Sequence, residues 1–363
     1  MYSSLAREPV NFVDLIAQVN KQIPGTLPDL RDRSMREFPH ISTGSFVIDY
    51  VTGIGGIPRG RVTEFHGLQS AGKTTSALMT IAECQSMGLG ALYLDYEHSI
   101  DPVYAQALGV SLDPSLWAFM QPNTMEDGLR VAQHFMEKGA GLVGMIICDS
   151  VAAMATAVDK AAEVGETEIG TQARVLSTSL RQLKHLVEVS QTAFLFINQL
   201  RDVVDLSFAG KLRAKSGPQY TTPGGRALKF YADMRLEFIP TGLEKIEQDS
   251  VLGSKDKEKI VTGQKAKVTA VKNKCAAPFR SGEIFLRHGQ GIDSTVPCVD
   301  LAMKYELISL KGAYYKVPAP YCDDALFEQT FQGKEALYAY FEMSPEKLQT
   351  LFTVVWERLK NGA

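Results

Sequence analysis

Gly67-Leu68-Gln69-Ser70-Ala71-Gly72-Lys73-Thr74 is the stretch that decides the fold of this chain. It matches G-x-x-x-x-G-K-[ST], follows the apolar run Val62 to His66 and leads directly into a helical pattern. In that setting the glycines let the backbone curl, so that successive N–H groups face phosphate oxygens and the next helix adds its positive end. The candidate phosphate-binding residues are Gly67, Gln69, Ser70, Ala71, Gly72, Lys73, Thr74 and Thr75. Lys73 is placed to reach the β- and γ-phosphates, and the Thr74 hydroxyl to bind Mg²⁺.

Outward from this loop, short apolar runs alternate with helical patterns. Val62 to His66, Ala91 to Asp95, Met145 to Asp149 and Ala193 to Asn198 read as strands buried on both faces. Helical patterns start at Lys73, Glu126 and Thr171, each long enough for a right-handed crossover. The alternation predicts an α/β fold with a mainly parallel, doubly wound sheet. Beyond Asp233, Arg235 to Ile239 and Ala266 to Val271 follow with no helix between them, which predicts an antiparallel extension.

At the N-terminus, Phe12, Ile16, Val19 and Ile23 fall at helical spacing before Pro24-Gly25, and Thr26 to Pro39 has linker composition. The expected division is an arm and linker over 1–40, a core over 41–282 and a C-terminal unit over 283–363. The last helix is expected to start at Ser344-Pro345 and to bury Leu348, Leu351, Phe352, Val355, Trp356 and Leu359 as a core stripe.

Composition narrows the function classes. The 363 residues, 45% hydrophobic and 22% charged, can bury a sizeable core and fit two or three domains. A net charge of -3 provides no global basic field, so any polyanion site must be local. Five cysteines without C-x-x-C spacing read as reduced thiols, and no apolar stretch approaches the roughly 20 residues that span a bilayer. Charged Arg7 and Glu8 lie where a signal peptide would be apolar, so the expected setting is cytoplasmic.

A phosphate loop of this kind needs a carboxylate for its metal, and the apolar strand ending at Asp149 supplies one. A group that orients the attacking water is also required. Glu97 and Asp95 compete for that role, and strand alternation puts both on one side. The strand Phe194 to Ile197 ends in Asn198-Gln199, where Gln199 either senses the terminal phosphate or merely caps the strand. Leu200 to Pro223 shows neither helical nor strand periodicity, and it carries Arg201, Lys211, Arg213 and Lys215 before Gly224-Gly225. Such a loop suits contact with phosphodiesters, although a solvated surface loop has the same composition.

With these residues in view the chain resembles the bacterial and phage RecA recombinase family over about residues 30 to 290. The resemblance rests on Asp32 to Met35, Ile41 to Ser45, the phosphate loop, Asp95-Tyr96-Glu97-His98-Ser99-Ile100-Asp101-Pro102, Asp149 to Ala153, and Asn198 to Arg201. Gly224-Gly225, Ala227 to Tyr231, Lys272-Asn273-Lys274 and Ala276 to Phe279 complete it. It implies a RecA-type ATPase core, an N-terminal oligomerisation arm and a small C-terminal α+β domain. Its implied cofactors are ATP and Mg²⁺. Glu97 is implied as the catalytic glutamate, Gln199 as the γ-phosphate sensor, and Asp101 and Tyr104 as adenine contacts. Two DNA loops are implied, at about 156–170 and 200–225. Ile169 would wedge between base triplets, and Arg174 and Arg181 would contact the backbone. Lys272 and Lys274 would reach a neighbouring subunit's ATP, and would be exposed until that neighbour docks.

The function implied is a single-stranded-DNA-dependent ATPase that forms helical filaments, pairs with double-stranded DNA and exchanges strands. The alternatives are a P-loop metabolite kinase and a non-hydrolysing DNA-coating filament protein. The longer stretch from Thr241 to Gly263 has no assigned role, the first loop is acidic at Glu163, Glu166 and Glu168, and no acidic tail follows Trp356 to Ala363. The last feature implies loading on DNA without excess Mg²⁺.

Overall fold

The structure is a computed structural model that describes residues 21, 38–163, 170–202, 220–249, 257–319, 321–322 and 328–360. The chain divides into Met1–Phe38 and Pro39–Ala363. The N-terminal arm therefore lies almost wholly outside the described residues.

Nine strands make the main sheet of the larger unit: β1 Val62–Gly67, β2 Gly90–Asp95, β3 Trp117–Met120, β4 Val143–Asp149, β5 Ala193–Gln199, β6 Met234–Asp249, β7 Lys257–Asn273, β8 Ser281–Arg287 and β9 Gly291–Asp293. Their order is β9-β8-β7-β6-β1-β5-β4-β2-β3. From β6 to β3 every pairing is parallel, and β7, β8 and β9 extend the sheet antiparallel. The fold is thus the α/β class the alternating pattern predicts.

The parallel strands β4 and β5 are apolar almost throughout, and β1 is buried along its whole length, because both of their faces are covered. One face packs Phe65, Tyr93, Ile147 and Ile197 against helix α1 (Lys73–Ser86) and the helix Phe46–Thr52. The other packs Leu92, Ile146, Phe194 and Phe196 against α2 (Met125–Lys138) and α3 (Thr171–Ser190). Successive strand residues point to opposite faces, so one apolar run feeds two cores.

Two expectations need revision. Thr241 to Gly263 is mostly a continuation of the hairpin, because β6 and β7 stay in antiparallel register out to Asp249 and Lys257. Glu283 lies inside β8, paired with Lys267 of β7, so no chain boundary falls there. The elements after it, down to the helix Pro345–Lys360, contribute Ile308, Leu337, Phe341, Leu351 and Val355 to the same core as Phe46 and Ile48. Phe352 meets Phe46 edge-on at 4.8 Å between ring centroids. The expected terminal stripe is core-facing, with Leu351 and Val355 fully buried. Four of the five free cysteines are buried and Cys275 is half-buried. Among the described residues no helix is long and apolar enough to cross a membrane.

Candidate nucleotide and DNA site

All the parallel strands end on one edge of the sheet, which brings Gly67, Asp95, Asp149 and Gln199 to the same side. Gly67 pairs with both Gln199 and Phe238, and the loop to Lys73 rises from there. Ser70 and Gly72 take positive φ, of 59° and 89°. The left-handed φ at Gly72 favours glycine, and a Cβ there would also displace the Leu286 side chain of β8, 2.5 Å away. Curling through left-handed backbone at these positions turns N–H groups inward, a concavity that suits phosphate oxygens.

Lys73 is buried, and its Nζ donates to the carbonyls of Leu68 at 2.7 Å and Gly67 at 3.3 Å. Burial pulls its pKa down, while the charges of Asp149 and Glu97 push it back up. The Thr74 hydroxyl donates to Asp149 Oδ2 at 2.9 Å, and the Tyr93 hydroxyl donates to the same oxygen at 2.7 Å. Burial raises the Asp149 carboxyl to about 6. A hydroxyl and a carboxylate meeting at the base of the loop form a hard oxygen donor set, which fits Mg²⁺. Among the described residues, no group of three or more His, Cys, Asp or Glu side chains could hold a metal by itself.

Asp95 and Glu97 part company. Strand β2 stops at Asp95, and the amides of Tyr96 and Glu97 both turn to the carbonyl of Asp149, so alternation no longer applies beyond the strand. Glu97 Oε1 accepts from Gln199 Nε2 at 2.8 Å and from the Ser150 hydroxyl. Asp95 is 1% exposed and takes a bond from Gln121 at 3.3 Å. Ser150 follows the candidate metal carboxylate Asp149 directly, and the sequence reading gave it no role.

Thr75 Oγ1 and the Tyr104 hydroxyl share a hydrogen bond of 2.9 Å, which ties the loop to the helix Pro102–Ala107. Asp101 caps that helix by accepting from the Val103 amide at 2.8 Å. A cleft of about 480 Å³ opens between residues 70–75, Tyr104 and the β8–β9 turn at Arg287, His288 and Gly289. The sequence reading missed that turn. Its signal was His288-Gly289-Gln290-Gly291 between two short strands.

The candidate DNA-contacting residues fall only partly among the described ones. Ile169, Lys211, Arg213 and Lys215 lie outside the described residues. Arg174 and Arg181 are exposed on α3, seven residues and about two turns apart. Arg201 is exposed in a short antiparallel pair, Arg201–Asp202 against Tyr220–Thr221, so the base of the second loop is a ribbon that the sequence did not announce. At the start of the first loop Thr156 and Asp159 form a capping box on the short helix Ala157–Ala161.

Gln172 joins the two loops. Its amide group donates to the carbonyls of Val151 at 2.7 Å and Met154 at 3.0 Å, and its oxygen accepts from the Gly224 amide at 3.2 Å. Gly224 and Gly225 press on α3, where a Cβ would come within 2.9 Å of Leu176 and 2.8 Å of Ala173. Asn198 completes the link, donating to the Pro223 carbonyl at 3.1 Å and to buried Glu64 at 2.9 Å, and Glu64 pairs with Arg235 at 2.5 Å.

Lys272 and Lys274 sit at the other edge. Lys272 is level with Arg235 and Glu64, about 10 Å short of Gly67 along the strand direction. Lys272 is half-buried rather than exposed, because its Nζ donates to the carbonyls of Lys229 at 2.8 Å and Phe230 at 3.1 Å. Lys274 is exposed and pairs with Asp233 at 3.2 Å.

The family model for the RecA N-terminal domain matches residues 12–293. Proteins called Protein RecA in Staphylococcus aureus strains JH9, Newman and JH1 are each 38% identical to this chain over 335 residues, covering 92% of it and 88% of theirs.

Proposed function

This chain belongs to the RecA family and is a RecA recombinase, and from that premise we propose that it is a cytoplasmic single-stranded-DNA-dependent ATPase whose helical filament pairs with double-stranded DNA. The observation that carries this reading is the Gln199–Glu97 hydrogen bond beside the phosphate loop. Gln199 is the last residue of β5, and two residues later the chain enters the basic second loop. A change in what Gln199 holds therefore moves the loop's first anchor directly.

Lys73 and the loop amides bind phosphate, while Thr74 and Asp149 hold Mg²⁺. Bound MgATP supplies the phosphoanhydride that is cleaved. Glu97 orients and polarises the attacking water, and Ser150 and Gln199 fix its carboxylate. Asp101 and Tyr104 flank the base. Arg174, Arg181, Arg201 and Gly224-Gly225 contact DNA together with Ile169, Lys211, Arg213 and Lys215. Lys272 and Lys274 face the wrong edge to serve their own subunit's nucleotide, which favours service to a neighbour's. Phe230 and Phe279, 69% and 74% exposed around them, give that contact an apolar surface.

ATP turnover with and without single-stranded DNA tests the reading. Strong stimulation by DNA is expected. DNA-independent turnover that responds to a small-molecule acceptor would indicate a metabolite kinase, and filaments without turnover a coating protein.

A further inference from the structure

Asp233 lies at the foot of the sheet, with its carboxylate 3% exposed. Its amide donates to the Val62 carbonyl at 2.8 Å, and its own carbonyl accepts from the Lys274 amide at 2.9 Å. Asp233 is thus fixed to β1, and the Lys274 backbone is fixed to Asp233. Only the Lys274 side chain is free to move. The two carboxylate oxygens are used unequally. Oδ2 takes the Val62 amide at 3.4 Å and the ion pair with Lys184 of α3, while Oδ1 takes Lys274 at 3.2 Å. Lys184 is 31% exposed and also donates to the Tyr231 carbonyl at 3.3 Å; Lys274 is 54% exposed.

Removing the sole partner of a buried charge is heavily penalised. Here Lys184 stays when Lys274 leaves, so the carboxylate keeps a cation and Lys274 can depart cheaply. Lys184, Arg235, Lys272 and Lys274 lie close to the Asp233 and Glu64 carboxylates, so cations predominate in this cluster. A multiply charged phosphate competes well for a lysine held by a carboxylate that another lysine already neutralises.

We propose that Asp233 is a positioning residue that holds the Lys274 ammonium at this edge and yields it to a phosphate of the neighbouring subunit's nucleotide. The strength of that hold sets the nucleotide concentration at which subunits assemble. The inference rests on the reading that Lys274 serves a neighbour.

The test is assembly of the full chain on single-stranded DNA, followed by light scattering during titration with a slowly hydrolysed ATP analogue. Asp233→Asn should lower the half-maximal nucleotide concentration by about threefold to tenfold. Lys184→Met should raise it, because Asp233 then grips Lys274 alone. In a Lys274→Gln background both shifts should vanish. A purely structural role would move both single variants the same way, together with their melting temperatures, and that outcome overturns the proposal. If one variant fails to fold, the other is judged by whether its shift vanishes in the Lys274→Gln background. Shifts that persist without Lys274 also refute it. If Lys274→Gln alone leaves the threshold unchanged, the neighbour-serving reading itself fails.

Discussion

The two edges of the main sheet hold their charged groups in different ways. On the carboxyl edge the functional side chains hold one another: Thr74 on Asp149, Gln199 on Glu97, Lys73 on its own loop. On the amino edge the lysines are held by groups with no chemistry of their own, helix-end carbonyls for Lys272 and Asp233 for Lys274. The first edge is a site that a single chain can build. The second is a set of donors that, on the proposed reading, serves an acceptor on a neighbouring subunit.

Lys73→Ala breaks the carboxyl edge at its centre. Each charge-assisted bond to phosphate contributes roughly 1.5–3 kcal/mol, so nucleotide affinity should fall about 10³-fold and assembly with it, as read by equilibrium binding. Glu97→Gln should retain binding and assembly while turnover drops about 10²-fold. Equal losses in Asp95→Asn would mean that the buried position 95 shares the task.

The amino edge should respond differently. Replacing Lys272 and Lys274 together with Ala should raise the nucleotide concentration needed for assembly by about 10- to 100-fold if one phosphate contact is lost, and by more if both are. Nucleotide binding by the unassembled subunit should not change. If the pair serves its own subunit, that affinity falls too and the contrast between the edges collapses.

Gln172→Ala sharpens the contrast from within the DNA side. It removes three hydrogen bonds and should cost about 1–3 kcal/mol of stability, with DNA-stimulated turnover falling more than DNA-free turnover. The last effect belongs to Asp49 and is read through pH rather than through nucleotide or DNA. Burial raises its carboxyl to about 7 despite bonds from Ser42 and Thr43. The folded chain then binds a proton that the unfolded chain, with a pKa near 3.9, does not, so stability should rise as pH falls from about 7 towards 4. Asp49→Asn should flatten that rise, a difference of a few degrees in melting midpoint across the window.

Much of the carboxyl edge was legible because its signals are local. The phosphate loop, the strand leading into it and the Asp that ends β4 are contiguous strings whose chemistry needs no distant partner. From the residues alone the choice between Asp95 and Glu97 stayed open, and only the family resemblance favoured Glu97. Where β2 stops, which sets the two side chains apart, depends on the Asp149 carbonyl of another strand. The inner part of the β6–β7 hairpin was read as an antiparallel extension, but its outer half escaped detection because it is largely polar and lacks one-sided alternation. The supposed boundary at Glu283 failed for a related reason: β8 is short, and only its pairing to β7 shows that the sheet continues. At the amino edge the two lysines could be named, but the carbonyls and the carboxylate that hold them come from α4 (Ala227–Tyr231) and the residue just before β6.

The register that sets Lys272 about 10 Å short of Gly67 also gives any stack of these subunits a direction. Joining the amino edge of one copy to the carboxyl edge of the next is a head-to-tail contact, which cannot close on itself by a twofold axis and leaves two chemically unlike ends. If Lys272 and Lys274 serve a neighbour, the terminal subunit at one end has a nucleotide edge without a neighbour's lysines, and at the other end the two lysines remain with their own chain's carbonyls and carboxylate. Subunits would then be gained and lost at different rates at the two ends.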